Sequence, residues 1–322
     1  MHRILAADVG GTHSRMGFFE LDGDAAAPRL LGVARLSTPA AGSFPELLAN
    51  LFSTPQPFAA RDCDLAVLAV AGPVEGHICT PPNIKWKVDL RDIAAVGLSR
   101  GALINDFAAQ AYACRSEAVR DARVLQQGQD GHHVAGGAIA VIGAGTGLGH
   151  CALVPDGHGG NIAVPSEAGH APFPFVNDEE FAFGAFVRST LGLDYCVGDV
   201  IVTGGGLARL HAYLTGEALS PAEVTARLAQ SPRTVEWFAR FYGRAARMYA
   251  LAVMALGGVY LAGGVAARNP ILVEHPAFLA EFRRSGTHGA MLAGLPVLLN
   301  ANQDSGMFGA ALHGAGLLRR GI

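Results

Sequence analysis

Short runs of apolar residues, each closed by glycine or polar residues, recur along this chain and predict β-strands. The first runs lie at residues 4–9, 14–20 and 29–36, spaced as consecutive strands of an antiparallel meander. Further short strands are predicted at 65–70, 75–79, 102–104, 138–142, 149–154, 259–262 and 296–300, and the strand at 75–79 is expected to follow a turn at Glu75 and Gly76. The chain is therefore expected to contain several β-sheets.

Apolar residues with the i, i+3, i+4 spacing of an amphipathic helix mark the longest predicted helix, between Ser231 and Leu256. Ser231 and Pro232 supply a cap and a first-turn residue, and Gly257 and Gly258 end the pattern. Shorter helices are predicted at 44–52, 107–114 and 307–318. Helices between strands indicate an α/β protein.

A strand, a glycine-threonine loop and another strand occur twice in the chain. The first loop is DVGGT at residues 8–12, and the second is GAGTG at residues 143–147. Glycine lets several backbone N–H groups surround an anion, and the threonine hydroxyl adds a donor. The repetition indicates a duplicated architecture, whose two loops are expected to hold one polyphosphate from opposite sides.

Composition favours a large buried core and disfavours nucleic acid as a partner. Half of the 322 residues are apolar, and 16% are charged, against an average of about 25%. This length predicts two domains. The net charge of −3 and the absence of any run of Lys or Arg leave no basic surface for nucleic acid.

No feature of the chain predicts secretion or a membrane partner. The first strand begins without a signal-peptide pattern, and four glycines interrupt the longest apolar stretch, residues 249–267. The five cysteines, at positions 63, 79, 114, 151 and 196, form no CxxC pair and no zinc-type spacing. A soluble cytoplasmic protein with reduced cysteines is the simplest expectation.

Three polar positions at strand ends or turns are candidates for chemistry. Asp8 adjoins the first loop and can hold Mg²⁺, or can act as a turn residue bonded to its own backbone. Asn105 and Asp106 follow an apolar strand, where Asp106 can accept a proton from a hydroxyl or simply cap the next helix. Glu167 and His170 can pair with vicinal hydroxyls or belong to a surface turn.

Glycine runs later in the chain are weaker signals. Gly204, Gly205 and Gly206 predict a tight turn. Gly263 and Gly264 end an apolar strand, where a bare backbone allows the close approach of a flat ring such as adenine.

Taken in order, these segments resemble the bacterial glucokinase family, in the branch without zinc and within the superfold of hexokinase, actin and the heat-shock ATPases. The motifs are DVGGT at 8–12, INDF at 104–107, GAGTGLG at 143–149, residues 167–170, TGGGL at 203–207 and LAGGV at 261–265. The resemblance covers nearly the whole chain. It implies an α/β, two-domain, actin-like ATPase fold related to ribonuclease H, with mixed sheets flanked by helices and a central cleft. The implied domains are residues 1–108 with about 301–322, and residues 109–300.

The resemblance also implies ATP and Mg²⁺ as cofactors and glucose as the substrate. It assigns the cofactor to Ala7, Asp8, Val9, Gly10, Gly11, Thr12, Gly145, Thr146, Gly147, Gly263 and Gly264, with Asp8 holding Mg²⁺ through water. It assigns glucose to Asn83, Asn105, Asp106, Glu167, His170 and Asp199, with Asp106 as the general base for the 6-hydroxyl. A homodimer is implied as well.

One departure from the family pattern leaves the acceptor open. Where similar family members carry a second sugar-binding glutamate before the glycine run, this chain has Asp199, which is one methylene shorter. Three alternatives follow: a glucokinase, a kinase for another hexose or an amino sugar, and a catalytically weak sugar-sensing relative.

Overall fold

The computed structural model describes residues 1–23 and 27–321, which form fourteen strands and twelve α-helices. The strands are β1 (His2–Val9), β2 (His13–Leu21), β3 (Arg29–Ser37), β4 (Leu65–Val70), β5 (Val74–Glu75), β6 (Ile78–Cys79), β7 (Val88–Asp89), β8 (Gly101–Asn105), β9 (Arg123–Gln126), β10 (Ile139–Ala144), β11 (Leu148–Pro155), β12 (Asn161–Ser166), β13 (Gly258–Ala262) and β14 (Val297–Leu299). The helices are α1 (Phe44–Phe52), α2 (Asp106–Ala113), α3 (Asp178–Leu191), α4 (Gly198–Ile201), α5 (Gly204–Thr215), α6 (Pro221–Ala226), α7 (Pro232–Ala252), α8 (Gly264–Arg268), α9 (Ile271–Glu274), α10 (Pro276–Phe282), α11 (Gly289–Gly294) and α12 (Ser305–Arg319).

The chain divides into two compact units. The first comprises Met1–Asp121, Asp156–Ala163 and Asn302–Ile322, and the second comprises Ala122–Pro155 and Val164–Ala301. The division expected at residue 108 falls inside α2, and the whole of α2 belongs to the first unit. The reason is packing: the Ala109 carbonyl oxygen of α2 occupies the place where a Cβ at Gly309 of α12 would stand.

The first unit is built on a five-stranded sheet with the order β3-β2-β1-β4-β8. The predicted meander is confirmed, because β1, β2 and β3 pair antiparallel, whereas β4 pairs parallel with β1 and with β8. Every residue of β4 is buried, as expected for a parallel strand covered on both faces. The parallel arrangement brings the carboxyl ends of β1, β4 and β8 to the same edge of the sheet.

A small sheet with the order β5-β6-β7 accompanies the main one. The turn predicted at Glu75 and Gly76 is confirmed, because the chain reverses at Gly76, whose φ is +64°. The strand predicted after it is shorter than the expected 75–79: only Ile78–Cys79 form β6, which pairs across this turn with β5.

The second unit carries a six-stranded sheet with the order β12-β11-β10-β13-β14-β9. The predicted strands β10, β11, β13 and β14 are confirmed, with β10 antiparallel to β11 and parallel to β13. The long helix α7 packs its apolar side on this unit's core, but it ends at Ala252 rather than Leu256. The chain turns at Met254, whose φ is +47°, and Gly257 N–H then bonds the Ala138 carbonyl.

No helix within residues 1–23 and 27–321 combines the length and the hydropathy that crossing a bilayer requires.

Candidate active site

The first glycine loop is the hairpin turn between β1 and β2. Gly10 N–H donates to the His13 carbonyl over 3.1 Å, and the Thr12 side chain is exposed at the tip. A Cβ at Gly11 would stand 3.0 Å from the backbone oxygen of Asn83, so glycine permits this approach. The structure therefore brings Asn83, a predicted sugar residue, to the predicted phosphate loop.

The strand β1, which leads into this loop, can contact a ligand mainly through its backbone atoms. Ala7 and Val9 are almost fully buried, with 0% and 1% exposure, so any contact of theirs with a ligand is through main-chain atoms. Asp8 points to the other face of β1 and keeps 18% of its side chain exposed. Of these three predicted cofactor residues, Asp8 alone offers a side chain.

Asp8 lies in a group of charged side chains. Arg15, its partner in β2, places Nη1 3.6 Å from Asp8 Oδ2 and Nε 3.5 Å from Asp304 Oδ1. Burial raises the pKa of Asp8 to about 6; Arg15 opposes this rise, and the charges of Asp106 and Asp304 add to it. Asp106 is thus near enough for the two carboxylates to repel. A nearby cation stabilises the ionised form of a carboxylate whose pKa is raised in this way.

The donor set around Asp8 fits Mg²⁺ that is held largely by water and phosphate. A Cβ at Gly306 would come within 2.8 Å of Asp8 Oδ2, so the carboxylate lies against the first turn of α12. Among the described residues, no group of three or more His, Cys, Asp or Glu has the arrangement of a metal site. Mg²⁺ that travels with a polyphosphate needs only one or two carboxylates.

Asn105 and Asp106 stand at the junction of β8 and α2. Asn105 Oδ1 accepts hydrogen bonds from the N–H groups of Phe107, at 2.9 Å, and Ala108, at 3.2 Å, so Asn105 is the helix cap. Its Nδ2 donates to the Gly72 carbonyl over 3.2 Å. Asn105 therefore holds the N-cap position considered for Asp106, although Asp106 Oδ1 also accepts a hydrogen bond from Phe107 N–H over 2.9 Å. Asp106 instead occupies the first helical position, where the helix dipole stabilises a carboxylate.

The second glycine loop is the turn between β10 and β11. Gly145 N–H donates to the Gly147 carbonyl over 2.8 Å, and the Thr146 side chain is exposed at the tip. Leu148 N–H donates to Asp199 Oδ1 over 2.6 Å, and a Cβ at Gly147 would stand 2.9 Å from the same oxygen. Asp199 therefore anchors this loop, a contact that the sequence did not indicate.

Gly263 and Gly264 lie at the base of the second loop. Gly263 has a φ of +84°, and a Cβ there would stand 2.5 Å from the carbonyl oxygen of Ala144, the last residue of β10. Only glycine fits this position without strain. A Cβ at Gly264 would meet only the end of the Arg268 side chain, which can move aside. The structure thus places the predicted adenosine residues beside the predicted phosphate loop.

The glycine run at 204–206 forms the first turn of α5, so the predicted tight turn is wrong. Thr203 caps the helix by accepting a hydrogen bond from Gly206 N–H over 3.1 Å. Gly204 N–H donates to the Gly145 carbonyl over 3.1 Å, which ties this helix start to the second loop. Helix N-termini favour anions. The signal available in the sequence was a threonine in the cap position before three small residues.

Glu167 precedes the 3-10 turn Ala168–His170, and His170 is the last residue of that turn. Their carboxylate and imidazole lie 3.7 Å apart, with 88% and 64% of the side chains exposed. Gly169 packs directly on the Leu148 carbonyl, and Gly198 N–H bonds the Ala171 carbonyl over 3.3 Å. The turn is therefore fixed next to the second loop, while its two polar side chains remain accessible to a ligand.

Arg209 is a charged residue near this loop that the sequence analysis missed. Its Nη2 donates to the Val200 carbonyl over 2.6 Å, and Nη1 lies 3.2 Å from the place of a Cβ at Gly205. Burial lowers the pKa of Arg209, and the nearby Asp199 charge opposes that change. Its buried Nε has no hydrogen-bond partner among the residues described. A single arginine within a helix leaves no recognisable sequence pattern.

A family model, curated relatives and a solved structure each match this chain over nearly its whole length. A protein-family model described as Glucokinase matches residues 5–316. The chain is 29% identical to a glucokinase of Nostoc sp., over 98% of this chain and 100% of the relative, and 30% identical to a glucokinase of Caulobacter vibrioides, over 96% and 94%. Among solved structures, a glucokinase from an Antarctic psychrotroph is similar, with a TM-score of 0.83 and 27% identity, over 97% of this chain and 98% of that one.

Proposed function

Because the chain belongs to the glucokinase family, we propose that it transfers the γ-phosphoryl group of ATP to the 6-hydroxyl of glucose, giving glucose 6-phosphate and ADP. Three expectations are confirmed: membership of the family, the α/β actin-like ATPase fold, and the activity class of an ATP-dependent sugar kinase. The roles of individual residues, the metal and the exact acceptor are part of the proposal.

The observation that carries the proposal is the pair of carboxylates in the first unit. Asp106 stands at the start of α2, close enough to Asp8 for its charge to raise the Asp8 pKa. In phosphoryl transfer to an alcohol, one carboxylate accepts the hydroxyl proton, and cations neutralise the negative charge on the phosphate oxygens. The pair offers a candidate for each task, with Asp106 as the base and Asp8 on the phosphate side.

On the sugar side, side chains held by the scaffold position the acceptor. Asn105 is fixed by the helix N–H groups and by Gly72, which leaves its second amide hydrogen to bond a sugar hydroxyl. We assign the remaining sugar contacts to Asn83, Glu167 and His170. Asp106 accepts the proton from the 6-hydroxyl as that oxygen attacks phosphorus, and such a base contributes about 10²- to 10⁴-fold in rate.

On the phosphate side, backbone N–H groups supply the donors. We assign the phosphates to the two glycine loops, with Thr12 and Thr146 exposed at their tips, and we place the adenosine near Gly263 and Gly264. Bound Mg²⁺, held by Asp8 through water, would neutralise negative charge on the phosphate oxygens.

Asp199 requires a role of its own. Its contact with Leu148 N–H makes it an anchor for the second loop. We propose that Asp199 acts on phosphate binding through this loop, and that any contact with the sugar is secondary. This assignment also removes the main reason to expect a shifted sugar preference from the shorter side chain.

Family membership is also our reason to propose a cytoplasmic homodimer that works in glycolysis. The net charge of −3 supports the expectation that nucleic acid is not a partner.

A panel of acceptors tests the proposed activity. Purified protein with ATP, Mg²⁺ and each of glucose, mannose, fructose and glucosamine is assayed for ADP, and glucose 6-phosphate is detected directly. We expect glucose to have the highest kcat/KM, by about tenfold or more. A higher value for another sugar would make that sugar the acceptor. Glucose binding in calorimetry without any turnover would favour the sugar-sensing alternative.

A further inference from the structure

The helix α4 carries Asp199, the residue that bonds the second glycine loop, and contacts outside the helix hold it in place. α4 is four residues long, and helices this short are not stable on their own. On one side, Gly198 N–H donates to the Ala171 carbonyl over 3.3 Å. On the other, a Cβ at Gly206 of α5 would overlap the Ile201 carbonyl, so the two helices touch through their backbones. The direction of the Asp199 side chain therefore depends on what fixes α4.

Arg209 of α5 supplies a further contact, and its guanidinium reaches back to α4. Nη2 donates to the Val200 carbonyl over 2.6 Å, and Val200 directly follows Asp199. Gly205, one turn before Arg209 on the same face of α5, leaves room for the guanidinium, since Nη1 lies 3.2 Å from the place of a Cβ at that position. The arginine thus bonds the residue next to the loop anchor.

Arg209 and Asp199 also interact through their charges. Burial lowers the pKa of Arg209, and the Asp199 carboxylate is the first of the groups that oppose this change. The other is the Cys196 thiol, whose own pKa is raised by burial, so it is neutral at pH 7. A guanidinium keeps its proton at any pH at which the protein is folded. Arg209 is therefore a positive charge that stabilises the carboxylate of Asp199.

Support for the α4 backbone alone does not account for an arginine at this position. A bond to one carbonyl needs one donor, whereas the guanidinium also buries Nε, which has no hydrogen-bond partner within the part of the chain described. A buried donor without a partner costs stability. What distinguishes arginine from a neutral donor is its positive charge, and Asp199 is the carboxylate on which that charge acts.

We propose that Arg209 is a positioning residue for phosphate binding, which acts through α4 and Asp199 on the second glycine loop. By holding Val200 and the charge of Asp199, Arg209 keeps the acceptor for Leu148 N–H in place. Leu148 is the first residue after the loop, so its bond to Asp199 fixes the end of the loop whose backbone N–H groups bind phosphate. The inference rests on the proposed function, because it takes this loop as a phosphate site.

Titration calorimetry with ADP and Mg²⁺ tests this role without turnover. Arg209→Gln removes the charge, and its shorter side chain gives up the Val200 bond, so we expect the Kd for ADP to rise about five- to tenfold. Arg209→Lys keeps the charge and one donor, and is expected to restore most of that affinity, to within about threefold. Arg227→Gln, at an exposed position in the same unit, is the matched control and is expected to bind ADP like the unmodified protein.

A double-mutant cycle separates positioning from stability. In the Asp199→Ala background, Arg209→Gln is expected to weaken ADP by less than about twofold, because the group through which the arginine acts is gone. The Kd for glucose is expected to change by less than about twofold in each Arg209 variant, because Arg209 acts on the phosphate loop. Partial unfolding lowers the number of sites in the titration but not the affinity of the folded fraction, so an arginine that only stabilises the fold would not produce this pattern.

Three results would overturn the inference: an unchanged Kd for ADP in Arg209→Gln, the same weakening of ADP with and without Asp199, or an equal weakening of glucose. If Arg209→Gln does not fold, Arg209→Met, which is closer in length, replaces it under the same criteria. Lack of ADP binding or of glucose phosphorylation by the unmodified protein would instead refute the proposed function, and the inference with it. A failure confined to the Arg209 variants leaves the kinase proposal intact.

Discussion

At the scale of single residues, burial decides which ionisable groups are available for chemistry. Asp8 is held where ionisation is costly, with a pKa raised to about 6 by burial. Perturbed groups of this kind concentrate at functional sites, because stability alone would not retain them. Asn105, by contrast, serves the scaffold: its oxygen caps α2, and its amide donates to the Gly72 carbonyl, while its contact with the sugar is part of the proposal. Burial has the opposite effect on the buried histidines, where it favours the neutral ring.

The buried histidines predict how stability changes with pH. Burial lowers the pKa values of His150 and His313 to about 4, whereas an unfolded histidine takes its proton near 6.5. At these two histidines the unfolded state therefore binds more protons between these values, so their contribution to the free energy of unfolding falls as pH drops from about 6.5 to 4, and the raised pKa of Asp8 offsets part of that fall. For His150 the loss is about 3 kcal/mol at most. Urea unfolding across this range measures it.

The variant His150→Asn is expected to remove the His150 share of this pH-dependent loss, about 3 kcal/mol at most, while the share of His313 remains. His77→Asn, at an exposed position, is the matched control and is expected to keep the original slope. The same slope in His150→Asn and in the unmodified protein would contradict the assignment.

At the scale of elements, close backbone contacts hold the site's loops in place. The end of β13 touches the end of β10 at Gly263, the start of α12 receives Asp8 at Gly306, and α12 crosses α2 at Gly309. At Gly263 and Gly309 a Cβ would overlap backbone atoms that cannot easily move, and at Gly306 it would meet the Asp8 side chain. The elements that carry Asp8, Asp106 and the second loop are therefore positioned by residues with no side chain, and their register is sensitive to one added methyl group.

Gly263→Ala is expected to reduce the free energy of unfolding by about 2 kcal/mol, because alanine is strained at positive φ and its Cβ would meet the Ala144 carbonyl. The KM for ATP is expected to rise with it, since the second loop begins at that carbonyl. Gly264→Ala is the neighbouring control, where only the movable end of Arg268 is displaced. Chemical denaturation and ATP kinetics compare the two. Equal effects of both substitutions would refute the argument.

Asp199→Ala tests the anchor of the second loop. Loss of the 2.6 Å bond leaves Leu148 N–H without its acceptor, so we expect the KM for ATP to rise about tenfold. The KM for glucose is expected to change much less. Asp194→Ala, at an exposed position in the same region, controls for loss of charge. If only the KM for glucose changes, Asp199 is a sugar ligand and the anchor role is wrong.

At the scale of the whole molecule, most central strands could be predicted from the sequence, because short apolar runs that end in glycine are typical of buried strands. The sequence did not predict helix α3, because its residue Glu180 is charged but fully buried and pairs with Arg244 at 2.6 Å. The buried face of α3 therefore looks polar in the sequence. The strand β12 was missed because half of its residues are exposed and one is proline. Both depend on partners that are distant along the chain.

The candidate site, too, could be predicted from the sequence only in part. Its motifs could be identified from order and spacing, since each lies next to a strand end. The contact between Leu148 and Asp199 joins residues far apart in sequence, and Arg209 belongs to no motif. The sequence therefore indicated candidate residues, whereas the structure was needed to show that Asn105 is the cap and that Asp199 holds a loop.

The central claim is that Asp106 is the base of a sugar kinase, and the most direct test measures kcat and glucose affinity together in Asp106→Asn. The substitution keeps an oxygen that can accept the Phe107 N–H bond, so α2 should remain intact. Asp130→Asn, at an exposed position, is the control. We predict that kcat falls about 10²- to 10⁴-fold while the Kd for glucose, from calorimetry, changes by less than about tenfold. An unchanged kcat would contradict the account.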